Sequence, residues 1–421
     1  MKRYEKNPRY IALRGKPILV VGSAEHYGAV LNADFDFRPY LKTMAADGLN
    51  QCRVFSGTYR ELPGEFGIVD NVLAPRPAAY LCPWKKDGER WDLAHWDERY
   101  WQRLGDFVRD ANKKRILVEY VLFCHWYNDD LWKASPLHPD NNVQRVGPKD
   151  RTTVYRLERS DLWPFVEAFV RKAATVLAPF DNVYFELMNE PYTDGSFAMV
   201  EAFQNRIADV LHSAAPDKLV ALNIANGTGV VASLHPHVGI VNFHYARAEA
   251  LLQNAHVELV LADDETGFAG QSATPYRKEA WTFLLSGGAM FSHLDYSFTV
   301  AHPDGTAPIT GKTPGYGGAD LRAQLGFLRR LVEKAAPWEL APLASVSVPA
   351  LTDAGYTRLI AYLERGGDLE LALPQGIYRR QWHDPIACTS LPEAQIVHSG
   401  GPLTLTAPLS EAVLTLTRKK R

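Results

Sequence analysis

Asn182-Val183-Tyr184-Phe185-Glu186-Leu187-Met188-Asn189-Glu190-Pro191 carries an apolar, β-forming run straight into an amide, a carboxylate and a proline. Runs of this length, rich in Val, Tyr and Phe and closed by a turn residue, read as strands. In a parallel barrel such a strand delivers its last side chains to the C-terminal face, where active sites are built, so Glu190 is a candidate catalytic carboxylate. Taken alone, the same triplet also serves to close a strand by turn chemistry.

Seven further runs of the same kind flank it, at 17–22, 50–55, 115–121, 219–223, 239–243, 257–261 and 289–293. Between them lie stretches of helical periodicity at 36–47, 97–112, 161–178, 196–214, 274–286 and 319–335, several opening at Asp or Ser, which can cap a first turn. The fifth helix is poorly marked, because 230–236 is short and ends in proline. Eight strand-helix units predict an α/β fold, a (β/α)8 TIM barrel spanning residues 1–339 with an N-terminal extension. After Trp338 the helical period vanishes, and short runs at 357–364, 369–373, 376–384, 403–407 and 412–418 alternate with turn signals. Residues 340–421 therefore read as a small antiparallel β-sandwich domain, expected to brace the barrel because Trp382 is its only obvious aromatic platform.

Two connections are long for βα loops. Residues 56–96 carry Tyr59, Tyr80, Trp84 and Trp91, and 124–160 carry Trp126, Tyr127 and Trp132. Both follow strands, so both overhang the C-terminal face and are expected to wall a pocket.

Bulk properties exclude several functions. Lys+Arg 46 against Asp+Glu 48 leaves a net charge of −2, which argues against a polyanion such as nucleic acid as partner. No apolar stretch approaches the length of a membrane span, and Met1-Lys2-Arg3-Tyr4-Glu5-Lys6 does not open a signal peptide. The four cysteines, Cys52, Cys82, Cys124 and Cys388, lack C-x-x-C spacing and are expected to be free thiols. A cytoplasmic location follows, or a secreted one if a leader has been removed.

A second acidic strand end, Val257-Glu258-Leu259-Val260-Leu261-Ala262-Asp263-Asp264-Glu265-Thr266-Gly267, falls in the seventh unit, nearly opposite the fourth across an eight-stranded ring. Two carboxylates converging on one point are what glycoside hydrolysis needs: one protonated at rest to donate to the leaving oxygen, one ionised to attack. Asn189 is placed to donate to a sugar hydroxyl beside the reacting carbon. Strand alternation points Asp263 the same way as Glu265 and turns Asp264 away, toward a neighbouring loop or Arg53.

Asn189-Glu190-Pro191 after strand four, with Glu265 ending strand seven, resembles the pattern of the retaining (β/α)8 glycoside hydrolase superfamily that includes the cellulase-type family 5 enzymes. Asn50-Gln51-Cys52-Arg53-Val54-Phe55 is similar to its strand two, Val121-Leu122-Phe123-Cys124-His125-Trp126 to its strand three, and Val241-Asn242-Phe243-His244-Tyr245 to its strand six. The resemblance implies Glu190 as acid/base and Glu265 as nucleophile. It implies that Arg53 supports the nucleophile, that His125 lines the first sugar subsite, and that His244 or Tyr245 contacts substrate and nucleophile. No cofactor and no metal are expected, since the strand-end histidines show no metal-ligand spacing. Trp126, one residue past His125, is expected to stack on sugar.

Two places depart from that pattern. Strand eight runs Phe291-Ser292-His293-Leu294-Asp295-Tyr296-Ser297-Phe298, without the tryptophan the superfamily usually places there, and leaves Tyr296 as the candidate contact. Strand one ends in Ser23-Ala24-Glu25-His26-Tyr27-Gly28, so Glu25 and His26 are expected to bind hydroxyl groups. The reading is a retaining β-glycosidase acting on short oligosaccharides or chain ends. A carbohydrate-binding barrel without turnover is one alternative. The other is a metal-dependent hydrolase using His26, His125, His244 and His293, although these show no His-x-His spacing.

Overall fold

The computed structural model describes residues 1–156, 160–192, 197–226, 229–231 and 234–419. Eight parallel strands close into a barrel in sequence order: Val20–Ala24, Gln51–Phe55, Leu117–Cys124, Val183–Asn189, Val220–Asn226, Ile240–His244, Val260–Glu265 and Met290–Leu294. Each falls on a run expected from the sequence, its start displaced by one to three residues. Pro17 and Ile18 belong instead to a three-stranded antiparallel N-terminal sheet, Lys2–Tyr4, Asn7–Leu13 and Lys16–Ile18. That sheet packs near the start of strand seven, where Arg3 donates to the Glu258 carbonyl at 3.1 Å.

The outer helices follow from capping and apolar periodicity. Asp36 and Asp97 accept from the amides of Arg38 and Arg99, opening Phe37–Ala46 and Glu98–Lys113. The helix expected to start at Asp161 begins at Trp163, because Asp161 accepts the Gly147 amide at 2.9 Å and Pro164 suits a first turn. The expected start at Ser196 lies outside the described residues, and Phe197–Ala214 follows it. No helix occurs between strands five and six among the described residues. No helix of the described residues is long and apolar enough to cross a membrane.

The two long loops zip together above the mouth. The first folds a hairpin, Trp84–Asp87 with Arg90–Trp96, and its Trp91 amide and carbonyl bond Asn141 and Val143 of the second. Trp84, Trp126 and Trp132 are fully buried in this packing.

Beyond the turn Pro337–Glu339 the chain is antiparallel β. Arg358–Leu363, Gly376–Asp384 and Ala412–Arg418 form the centre of one sheet, and Asp368–Leu373 pairs with Gly401–Thr406 in a second. Leu369, Leu371, Leu373 and Leu405 of the smaller sheet share a core with Leu359, Tyr378, Leu414 and Leu416. Trp382 lies in that core and presents no platform. Ala394–His398 is a strand the sequence did not mark, since its burial is only partial. A buried ion pair docks this region on the barrel: Arg277 of the helix Ala273–Leu285 bonds both oxygens of Glu411 at 2.8 Å. Tyr362 donates to Glu411 at 3.0 Å and stacks on Trp281.

Candidate active site

Strand two places Arg53 under the barrel mouth, fully buried. A guanidinium in that position must be surrounded by acceptors. Arg53 donates to Glu186 through Nε at 2.9 Å, to Asn189 Oδ1 through Nη2 at 2.8 Å and to Glu265 Oε2 through Nη1 at 2.8 Å. Glu119 and Asp264 lie 3.8 and 3.5 Å away. Burial, with Asp264 and Glu186 close by, pushes the Glu119 carboxyl well up; burial also raises Glu186, against the pull of Arg53. Burial would raise Asp264 too, but Arg53 and His244 hold it below the usual carboxylate range, and Glu265 takes the guanidinium's outer nitrogen.

Strand six bears the other support. Tyr245, at φ 55°, donates its hydroxyl to Glu265 Oε1 at 2.8 Å, so both oxygens of Glu265 accept from fixed donors. His244 Nδ1 sits 3.0 Å from Glu190 Oε1, and Nε2 sits 3.4 Å from Asp264 Oδ1. Burial works against charge on His244, but Glu265, Asp264 and Glu190 around it raise its pKa well above that of free histidine.

Glu190 itself adopts φ 44°, a left-handed conformation costly for a residue with a Cβ, and its amide is fixed by Asn223 Oδ1 at 3.1 Å. Its Oε2 accepts from the Tyr127 hydroxyl at 2.6 Å. Burial alone would raise Glu190, yet the hydrogen bonds from His244 and Tyr127 and the charges of His244 and Arg53 outweigh it and hold the pKa at about 2. These surroundings favour the ionised form of Glu190 beside a charged His244, where an acid protonated at rest was expected.

One oxygen of Glu190, one of Glu265 and a ring nitrogen of His244 lie within 4.8 Å of one another. Glu190 and Glu265 open on a cavity of about 560 Å³ walled by Tyr59, Glu61, Tyr127, Tyr192, Tyr245 and Phe268. The same three side chains form a geometrically possible cation cluster. Glu265, however, is already committed to the Arg53 guanidinium, and a charged imidazole offers no lone pair, so this donor set suits proton transfer better than metal binding.

The expected residues fall into three groups. Glu190, Glu265, Asn189, Tyr245 and His26 reach the cavity, and Arg53 and His244 hold the carboxylates from behind. His125 packs edge-on to Tyr127 and Tyr192 and supports them from outside the cavity wall. Glu25, Trp126 and Tyr296 do not line it. Glu25 is fully buried, with both oxygens accepting from Gly28 and Ala29 at 2.9 and 3.0 Å; it braces the turn that presents His26, and burial takes its pKa to about 8. Trp126 turns away to stack on Tyr155, and the next residue, Tyr127, turns in. Tyr296 lies behind Phe268, edge to face at 6.3 Å.

Asp263 and Asp264 reverse the expected alternation. The pairing with strand six shifts register there, matching Phe243 with Asp263 but His244 with Glu265. The extra residue is a β-bulge that lets Asp264 face the interior beside Glu265, while Asp263 accepts from the Ala246 amide at 3.3 Å.

Sequence reasoning also missed Glu61, whose Oε1 lies 3.3 Å from His26 Nε2, and Glu279, a carboxyl of the helix Ala273–Leu285 in the cavity wall. Neither sits at a strand end. The position of Tyr127 after His125-Trp126 was the one available signal.

A closed (β/α)8 barrel with an appended antiparallel β region and a two-glutamate pocket at its strand ends defines the class. No family model and no curated protein sequence matches the chain. Solved structures do share its fold. A glycoside hydrolase family 5 protein from Bacteroides vulgatus aligns over 99% of this chain and 93% of its own, with TM-score 0.67 at 13% identity. The endo-1,4-beta-mannanase of Rhizomucor miehei covers 77% of this chain and 98% of its own (TM-score 0.56, 12% identity). Endo-glycoceramidase II of Rhodococcus sp. covers 98% and 100% (TM-score 0.52, 14% identity).

Proposed function

We propose that the protein is a retaining β-glycosidase in which Glu265 attacks the anomeric carbon and Glu190, with His244, supplies and recovers the proton. The observation that carries this reading is the approach of the two carboxylates within 4.8 Å. Retaining enzymes keep their carboxyl groups about 5–5.5 Å apart, whereas inverting ones need roughly 6.5–9.5 Å to admit a water. The two environments divide the roles. Glu265, bonded by Arg53 and Tyr245, is oriented as the nucleophile, and Glu190 lies within hydrogen-bond reach of His244.

In the first step Glu265 forms a bond to the anomeric carbon as the glycosidic C–O bond breaks, and the leaving oxygen takes the proton from the Glu190–His244 pair. In the second, water attacks the glycosyl ester, returns a proton to the pair and frees Glu265. The fold relatives named for mannan and glycoceramide hydrolysis support the reaction class. The walled cavity favours short oligosaccharides or chain ends.

A screen of aryl β-glycosides, with the first-formed anomer read by proton NMR, tests the proposal. Retention in the wild type and loss of at least about a thousandfold in Glu265→Ala are expected. An inverted product, or a Glu265→Ala protein of near wild-type rate, refutes it.

A further inference from the structure

At the end of the barrel away from Glu190 and Glu265, the connection entering strand six carries His235-Pro236-His237. This His-x-His pair is absent from the strand-end histidines and plays no part in the chemistry above. It faces the helix Phe197–Ala214. His235 Nε2 lies 3.3 Å from Asp209 Oδ1, and His237 Nε2 lies 3.8 Å from the same oxygen. One ligand atom from each of the three residues falls within 4.8 Å of the others.

The arrangement exceeds what an ion pair requires, since one imidazole would suffice for one carboxylate oxygen. A tetrahedral ion with bonds of about 2.0–2.1 Å separates its ligand atoms by about 3.3 Å, close to both observed distances. Two imidazoles and a carboxylate are a donor set for a borderline transition metal, whereas Mg²⁺ and Ca²⁺ prefer oxygen alone. The ring of His237 is held in plane by His212, one helical turn beyond Asp209, with centroids 3.7 Å apart and planes at 11°. The His237 amide reaches His235 Nδ1 only at 3.5 Å, too long to fix that ring in one tautomer. All three side chains are partly open to solvent, so an ion has a path in.

We propose that Asp209, His235 and His237 form a binding site for a divalent transition metal of the zinc class, with water completing the shell. The ion pins the connection between strands five and six, which has no helix among its described residues, to the helix Phe197–Ala214, and so stabilises the native barrel by mass action. It takes no part in catalysis.

Titrating chelator-treated, full-length protein with Co²⁺, followed by visible absorption, tests this, with Zn²⁺ and thermal melting as a second readout. The wild type is expected to bind one equivalent of Co²⁺ and to melt higher with Zn²⁺. His235→Ala/His237→Ala should weaken Co²⁺ binding at least about 100-fold, and the near-isosteric Asp209→Asn about 10-fold. Both should keep wild-type hydrolysis of whichever glycoside the wild type cleaves and a wild-type melting temperature without metal. Absence of stoichiometric Co²⁺ binding, or equal affinity in the double variant, overturns the proposal; equal affinity would place the ion at another cluster.

Discussion

His244 Nδ1 and Glu190 Oε1 are 3.0 Å apart, and the positive charge favoured on the one is what keeps the other ionised. The depressed Glu190 pKa contributes stability that is present above the free value of 4.5 and is lost as pH falls toward about 2. The raised His244 pKa contributes stability that is present below 6.5 and is lost as pH rises through the folded value. In His244→Asn the catalytic proton must sit on Glu190 alone. The alkaline limb of kcat/KM should therefore move to lower pH, and an unmoved limb would separate His244 from the proton donor.

Tyr127 bonds Glu190 at 2.6 Å and accepts from Asn189 at 2.9 Å, so it fixes the acid against the amide. Tyr127→Phe should lower kcat by roughly 10- to 100-fold, the worth of a hydrogen bond to a charged group. Trp126→Phe should lower the melting temperature and leave kcat and KM within about twofold, because the indole faces Tyr155 and Trp132. The reverse pattern would restore Trp126 as the sugar contact.

Burial takes the Glu279 carboxyl to about 7, against hydrogen bonds to Thr266 and Asp263 that lower it. Its folded pKa lies above the unfolded 4.5, so the native state binds more protons between these values and stability falls as pH rises from about 4.5 to 7. Glu279→Gln should melt above the wild type at pH 8, by an amount on the order of 3 kcal/mol, and equal to it near pH 4.5. Melting curves at the two pH values decide it.

The Arg277–Glu411 pair links barrel to β region with little exposure of either side chain. Glu411→Gln leaves a buried guanidinium half-satisfied and should cost about 3–5 kcal/mol in denaturant unfolding. Kinetics at temperatures well below melting should be unchanged. A large loss of kcat would mean that the β region shapes the pocket.

The barrel was legible because each strand is an apolar run buried on both faces, and Asp36 and Asp97 announce their helices by capping chemistry. Glu190 and Glu265 were legible as carboxylates closing apolar strands, with Asn189 beside the first, whereas Arg53, His244 and Tyr245 were legible only through the resemblance of their strands to the glycoside hydrolase pattern. What misled the reading was local backbone. The bulge at Asp264 reverses alternation, and the turn after Ala24 folds Glu25 back onto its own amides. The loop residues Glu61 and Tyr127 are placed by packing between two long connections, which no periodicity encodes.

The central claim assigns attack to Glu265 and proton transfer to Glu190, and azide products from the two alanine variants test it most directly. With an activated aryl β-glycoside, Glu265→Ala should yield the α-glycosyl azide, since azide enters the face the nucleophile has vacated. Glu190→Ala should yield the β-glycosyl azide from a glycosyl-enzyme intermediate. Exchanged anomers would reverse the roles, and wild-type hydrolysis in either variant would contradict the two-glutamate mechanism.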